Sequence, residues 1–211
     1  MRRILSLFVA AFIIATTAFA TKTSVKVTKS NQTETTLVFT IGSHEMIKVE
    51  TPKGEAFIPK IDQAVPLLQQ GSPALLRIAE SIIIPDQGKM KINVVDAQFK
   101  TYENIEIAPS KGNLYRDVKP SEIPYKYGEM YQKNAFFPTE VVELPKPYIA
   151  RDFRGQAVWI NPIQYNPVTK EMRVYTEITV EVVATNEKGV NEKVLNTERT
   201  KLSSTYDLVY N

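Results

Sequence analysis

Over 172–182 the chain alternates strictly. Met172, Val174, Thr176, Ile178, Val180 and Val182 fall on one face, and Arg173, Tyr175, Glu177, Thr179 and Glu181 on the other. Successive matches to a period of two predict a half-buried antiparallel strand, because a helix would repeat every 3.6 residues or about that. Met90, Ile92 and Val94 alternate with Lys89, Lys91 and Asn93 in the same way, and 99–107 reads as that strand's neighbour. Segments 36–41 and 46–50 read as a hairpin about Gly42-Ser43, closed by Thr51-Pro52-Lys53-Gly54. The apolar run 81–84 reads as a buried strand stopped by Pro85-Asp86-Gln87-Gly88. Pro59, Pro66, Gly71 and Pro73 make 58–73 irregular, and 74–79 fits either one helical turn or an extended edge. Segments 148–153 and 156–163 read as strands around Arg154-Gly155, with 165–170 turning into the long alternating strand. The expected fold is all-β, an antiparallel β-sandwich, since half-buried sheets must cover one face.

One stretch breaks this pattern. Between Ile107 and Pro138 lie Pro109, Pro120, Pro124 and Pro138, with Gly112 and Gly128 among them. Each proline fixes its own φ and biases the preceding residue away from helix. The same stretch holds Leu114, Tyr115, Tyr125, Tyr127, Tyr131, Phe136 and Phe137, whereas a disordered linker is poor in aromatics. It therefore reads as a long, ordered, aromatic-anchored loop, and loops of that length usually carry function. Pro109-Ser110-Lys111-Gly112-Asn113 signals a turn, followed at once by Leu114-Tyr115-Arg116-Asp117. That order suits Arg116 to being offered to a partner. By spacing alone Arg116 reads more readily as an ordinary solvated arginine paired to Asp117.

Composition removes several functions. The chain has no Cys and a single His, His44, so it holds no thiolate nucleophile and no Cys/His zinc site. His44 falls in Gly42-Ser43-His44-Glu45 and reads as a solvated turn histidine. No nucleophile–base pair, carboxylate dyad or phosphate loop stands out, and no cofactor or metal is expected. Residues 1–20 read as an export signal, with Arg2-Arg3, an apolar core and Ala18-Phe19-Ala20 before a cleavage between Ala20 and Thr21. Without Arg2 and Arg3 the chain has 24 basic and 23 acidic residues, too balanced to suggest nucleic acid or anionic membrane. The expected layout is a signal peptide over 1–20, a β-domain over 21–185 and a polar tail over 186–211. The destination is periplasm, cell surface or medium.

Four segments together carry a resemblance: APSKGNLYR (108–116), PSEIPYKYGEMYQKNAFFP (120–138), PYIARDFRGQAV (147–158) and QYNPVTKEMRVYTEITVEV (164–182). In order and spacing, from about Ile47 to Val183, the chain resembles the N-terminal propeptide of the gingipain-type (family C25) cysteine peptidases. The resemblance implies a β-rich domain that assists folding of such a peptidase and keeps it latent, in cis or in trans. It also implies that Arg116, flanked by Leu114, Tyr115 and Asp117, matches a propeptide arginine that enters the specificity pocket. Tyr125, Tyr127, Tyr131, Phe136 and Phe137 would then either form an aromatic contact patch or anchor the loop to the core. Gly71-Ser72-Pro73-Ala74-Leu75-Leu76 lacks the final proline frequent in the family, and Val118-Lys119 replaces a more acidic pair.

Other basic residues compete for attention. Arg151-Asp152-Phe153-Arg154-Gly155 reads as a strand-end salt bridge and turn sooner than as a partner contact. Arg77 and Arg199 fall in expected loops and could be processing sites, and Asn31-Gln32-Thr33 fits a glycosylation sequon. The alternative reading is a secreted β-sandwich for adhesion or assembly with no peptidase partner, which fold alone does not exclude.

Overall fold

The computed structural model describes residues 22–31, 33–151 and 153–194; the expected leader with Ala20 and Thr21, Arg199 and the end of the polar tail lie outside them. Two antiparallel five-stranded sheets face each other across one apolar core. The first contains β1 (Ser24–Ser30), β2 (Glu34–Thr40), β7 (Met90–Tyr102), β11 (Ile163–Asn166) and β12 (Glu171–Ala184). The second contains β5 (Val65–Pro66), β6 (Leu76–Ile84), β8 (Val142–Glu143), β9 (Tyr148–Ala150) and β10 (Phe153–Ile160). A separate ribbon pairs β3 (His44–Thr51) with β4 (Gly54–Ile61).

β12 organises the first sheet. It pairs with β7 along one side, and with β11 and then β2 along the other. Its Met172, Val174, Ile178, Val180 and Val182 meet Ile78, Ile82, Ile84, Val158 and Ile160 from the second sheet, all in one buried cluster. The predicted inward face holds except at Thr176, which is exposed while Tyr175 turns in. The cause is a register shift: Tyr175 opposes Phe99 and Glu177 opposes Gln98, leaving Thr176 as an extra residue. A second shift leaves Val95 extra on β7, so Val94 and Val95 are both exposed. These bulges let 90–102 run as one strand where the sequence suggests two.

Three other expectations change. Segments 36–41 and 46–50 are not a hairpin. The buried Ile41-Gly42 link leaves the first sheet, with Ile41 N donating to Thr176 O and Gly42 N to Thr23 Oγ1, and β3 pairs with β4 instead. The turn of that ribbon is Thr51–Gly54, where Gly54 has φ +100° and Thr51 Oγ1 donates to Gly54 O. Pro59 is compatible with β4 because Phe57, two residues earlier, directs its N–H and C=O away from β3, toward 106–108. Segment 74–79 is extended and enters β6, a central strand between β5 and β10. Arg154-Gly155 is no turn: both residues lie inside β10, and the turn comes earlier, at Arg151 with φ 51°. Gly155 fits the strand because a Cβ there would run into the Tyr148 ring.

The segment 186–194, placed by sequence in the polar tail, packs onto the β6–β7 turn. Lys89 N donates to Glu187 O, Lys193 N to Asp86 O, and Glu192 Oε1 accepts from Gly88 N and Gly189 N. Arg154, fully buried, donates to Pro85 O, Gly88 O and Val190 O.

Candidate functional site

The loop from Ile107 leaves the core as an added strand. Phe57 N donates to Glu106 O and Ala108 N to Phe57 O, while Ala74 N donates to Ala108 O and Ser110 N to Ser72 O. Gly71 N then donates to Ser110 O, and Gly128 N, on the returning leg, donates to Gly71 O. The loop thus leaves and returns beside one short segment, 69–74. Gly128 allows that approach, since a Cβ would sit 3.0 Å from Gly71 O. Two short 3₁₀ turns, Pro120–Glu122 and Glu129–Gln132, shape the return.

The aromatics hold this frame. Tyr131, largely buried, donates from its hydroxyl to Ile107 O at 2.7 Å, tying the second leg to the first. Burial and the neighbouring Tyr165 raise its pKa far above that of a free tyrosine, so it stays a donor. Tyr127 packs edge-on to Tyr131 and shares a 2.8 Å hydrogen bond with Thr51 Oγ1, while Lys53 lies 4.2 Å over its ring. Tyr125 lies beneath Lys111, Phe136 beneath Arg173, and Phe137 is buried. All five aromatics are engaged within the fold. These contacts tie the loop to the body of the domain.

The tip is different. Val118 N donates to Tyr115 O at 3.1 Å, closing a tight turn with Arg116 and Asp117 at its corners. Leu114 is half-buried, Arg116 and Asp117 are exposed, and Tyr115 is 83% exposed. Three cations lie between 111 and 119. Lys111 Nζ donates to Pro120 O at 2.7 Å and sits 4.1 Å over the Tyr125 ring. Lys119 lies 3.5 Å from Glu122. No hydrogen bond or ion pair among the described residues engages Arg116, and the expected pairing with Asp117 is not formed.

Residues 16–206 match the C25 propeptide family, Propeptide_C25. The chain belongs to that family. It is 40% identical over 207 residues to gingipain R1 of Porphyromonas gingivalis, covering 95% of this chain and 12% of that protein. Gingipain R2 of the same organism is 39% identical over 167 residues, 79% of this chain and 23% of the relative. The chain therefore spans a small part of these relatives' length. A solved complex of the pro- and mature domains of RgpB from Porphyromonas gingivalis superposes with a TM-score of 0.83 at 36% identity, covering 88% of this chain and 95% of the matched one. The C25 propeptide fold is a propeptide domain of a peptidase and not itself catalytic.

The other candidates among the described residues make contacts within the fold. Arg77 is not in a loop: it lies in β6, bonds Glu143 Oε1 at 2.9 Å and Asn161 Oδ1 at 3.3 Å, and stacks 4.0 Å over Trp159. His44 is half-buried rather than solvated, edge-on to Tyr102 at 5.4 Å. Burial, and then Lys100, pull its pKa below 6.5. Asn31 Oδ1 accepts from Thr33 N, Thr33 Oγ1 and Glu34 N, forming the β1–β2 turn. Arg154, read from sequence as part of a strand-end salt bridge and turn, is instead buried against carbonyls brought from two distant segments, the β6–β7 turn and 186–194.

Proposed function

We propose that this domain keeps an arginine-specific gingipain-type cysteine peptidase latent and assists its folding, with Arg116 entering the specificity pocket. The observation that carries this reading is the state of the tip. Of its three cations only Arg116 has no partner among the described residues, and it stands at the corner of a turn on a braced loop. A specificity pocket for a basic residue needs a long cation on a backbone already ordered, because ordering it on binding costs affinity. The family and the RgpB pro–mature complex support the propeptide role, and the higher identity to gingipains R1 and R2 than to Lys-gingipain, at 25%, favours an arginine-specific partner. Tyr115 and Leu114 would pack at the pocket rim, with Asp117 at its edge. Export is part of the reading, with residues 1–20 removed between Ala20 and Thr21 and the β-domain beginning there.

The test is inhibition of an arginine-specific peptidase of this type by the purified protein. Arg116→Ala is expected to weaken inhibition at least about tenfold, the loss of a desolvated, charge-paired anchor. An unchanged inhibition constant would remove Arg116 from the pocket.

A further inference from the structure

We infer that Lys111 is a positioning residue that closes the neck of the loop and holds Arg116 in presentation geometry. The inference rests on the reading of Arg116 just given. Lys111 lies five residues before Arg116, and its contacts, Pro120 O and the Tyr125 ring, lie four and nine residues after it. Its side chain thus crosses between the two legs immediately below the tip. An ammonium suits this place because it can donate to a carbonyl and face an aromatic ring at once.

The brace is nearer the tip than the loop's other ties. Gly71, between the legs, receives Gly128 N and donates to Ser110 O, and Tyr131 reaches Ile107 O, all at the loop's base. The ring of Tyr127 is held by Thr51 and Lys53 of the β3–β4 turn, again on the returning leg. Above Lys111 the described residues show the local Tyr115–Val118 turn, Glu122 N donating to Lys119 O and the exposed pair of Lys119 with Glu122, none of which joins the two legs to the body of the domain. Without Lys111, the segment from Gly112 to Lys119 would be a flexible span joined to a rigid frame. Gly112 holds the outgoing leg in place by a different means: its φ is +83°, its N–H donates to Ser110 Oγ, and a Cβ would press on Gln70 at 3.0 Å. The outgoing leg is therefore oriented so that Lys111 meets its two contacts.

Lys111 also bears on specificity. It is a basic residue in an inhibitory loop, yet its ammonium is spent on the fold and withheld from a pocket that accepts cations. Lys111 acts through Arg116 and does not compete with it.

Two readouts separate this from the Arg116 assignment. Chymotrypsin cleaves after exposed aromatics, and cutting of the Tyr115–Arg116 bond at the tip reports loop order without any specificity pocket for Arg116. In the whole protein, Lys111→Met keeps the aliphatic stem and removes both polar contacts. Chymotryptic cleavage after Tyr115 is expected to rise roughly tenfold, and inhibition of the arginine-specific peptidase to weaken about fivefold or more. The thermal midpoint is expected to stay within about 1 °C, since Lys111 lies outside the core. Lys111→Arg is expected to recover part of both effects. Unchanged cleavage after Tyr115 overturns the brace, as does a fall of several degrees in the midpoint, which would make Lys111 a general stabiliser. If Arg116→Ala leaves inhibition unchanged while Lys111→Met speeds cleavage, the pocket assignment fails and the brace stands.

Discussion

Arg154→Met tests the buried guanidinium that ties 186–194 to the body of the domain. The guanidinium is fully buried and donates at 3.0, 2.8 and 2.7 Å to Pro85 O, Gly88 O and Val190 O, joining β10, the β6–β7 turn and the segment 186–194. Hydrogen bonds from a charged donor are each worth about 1.5–3 kcal/mol. Against them stands the cost of drying the guanidinium, several kcal/mol, and burial accordingly pulls its pKa below that of a free arginine. Nε contributes nothing in return, because it has no partner. Methionine would remove the charge and its cost together, but three carbonyls would lose their donor. Val190 is 53% exposed, so its carbonyl can return to water once 186–194 lifts, whereas Pro85 and Gly88 are only half-exposed. The balance is a loss of about 3 kcal/mol, which lowers the thermal midpoint by roughly 6–12 °C for a domain of this size. Arg154→Lys should recover little, since one ammonium cannot span three carbonyls. Calorimetry gives the midpoint. Hydrogen exchange at the Lys89 and Lys193 amides, which donate to Glu187 O and Asp86 O, reports whether 186–194 has detached. A midpoint lowered by less than about 2 °C, with exchange at both amides unchanged, would refute the reasoning.

Gly128→Ala places a Cβ 3.0 Å from Gly71 O and 3.2 Å from Gly71 C, and neither atom can swing aside. Overpacking of this kind costs about 1–3 kcal/mol, so thermal melting should shift downward by at least about 2 °C, and an unshifted melt would show that the legs can separate freely. His44 supplies a pH dependence. Its folded pKa is depressed by burial and by Lys100, so the stability it confers is fully present above about pH 6.5 and is lost as pH falls through the lowered folded value. His44→Gln should flatten the stability–pH curve below pH 6.5, and chemical denaturation across that range would show a persistent slope if the assignment is wrong.

The long strand β12 and the all-β class were legible because alternation at a period of two is a local signal, strong over 172–182. What failed was pairing. Strands 36–41 and 46–50 are adjacent in sequence, and Gly42-Ser43 has the composition of a turn, yet the two belong to different sheets. The deciding contacts are tertiary: Ile41 N reaches Thr176 O and Gly42 N reaches Thr23 Oγ1. Arg154-Gly155 failed for a related reason. Arginine followed by glycine reads as an exposed turn, but here the two terminal guanidinium nitrogens bond carbonyls from residues 36 to 69 positions away. The bulges at Thr176 and Val95 cost the alternation one place each, and no local preference marks where a bulge falls.

The site was half-legible on the same grounds. Prolines and aromatics marked 107–138 as an ordered loop, but the turn expected at Pro109–Asn113 falls later, at Tyr115–Val118, because Ala74 N on Ala108 O and Ser110 N on Ser72 O hold 108–110 extended. Composition cannot rank the cations, however. From sequence alone Lys111, Arg116 and Lys119 are three basic side chains within nine residues, all on a polar stretch. Their difference is made by Tyr125 and Pro120, which occupy Lys111, and by Glu122, which attends Lys119. On the reading proposed above, the fold would select the inhibitory cation by subtraction. A pocket that binds a basic residue would meet at this tip one cation with no partner among the described residues, and Lys111, by closing the neck, would keep it so.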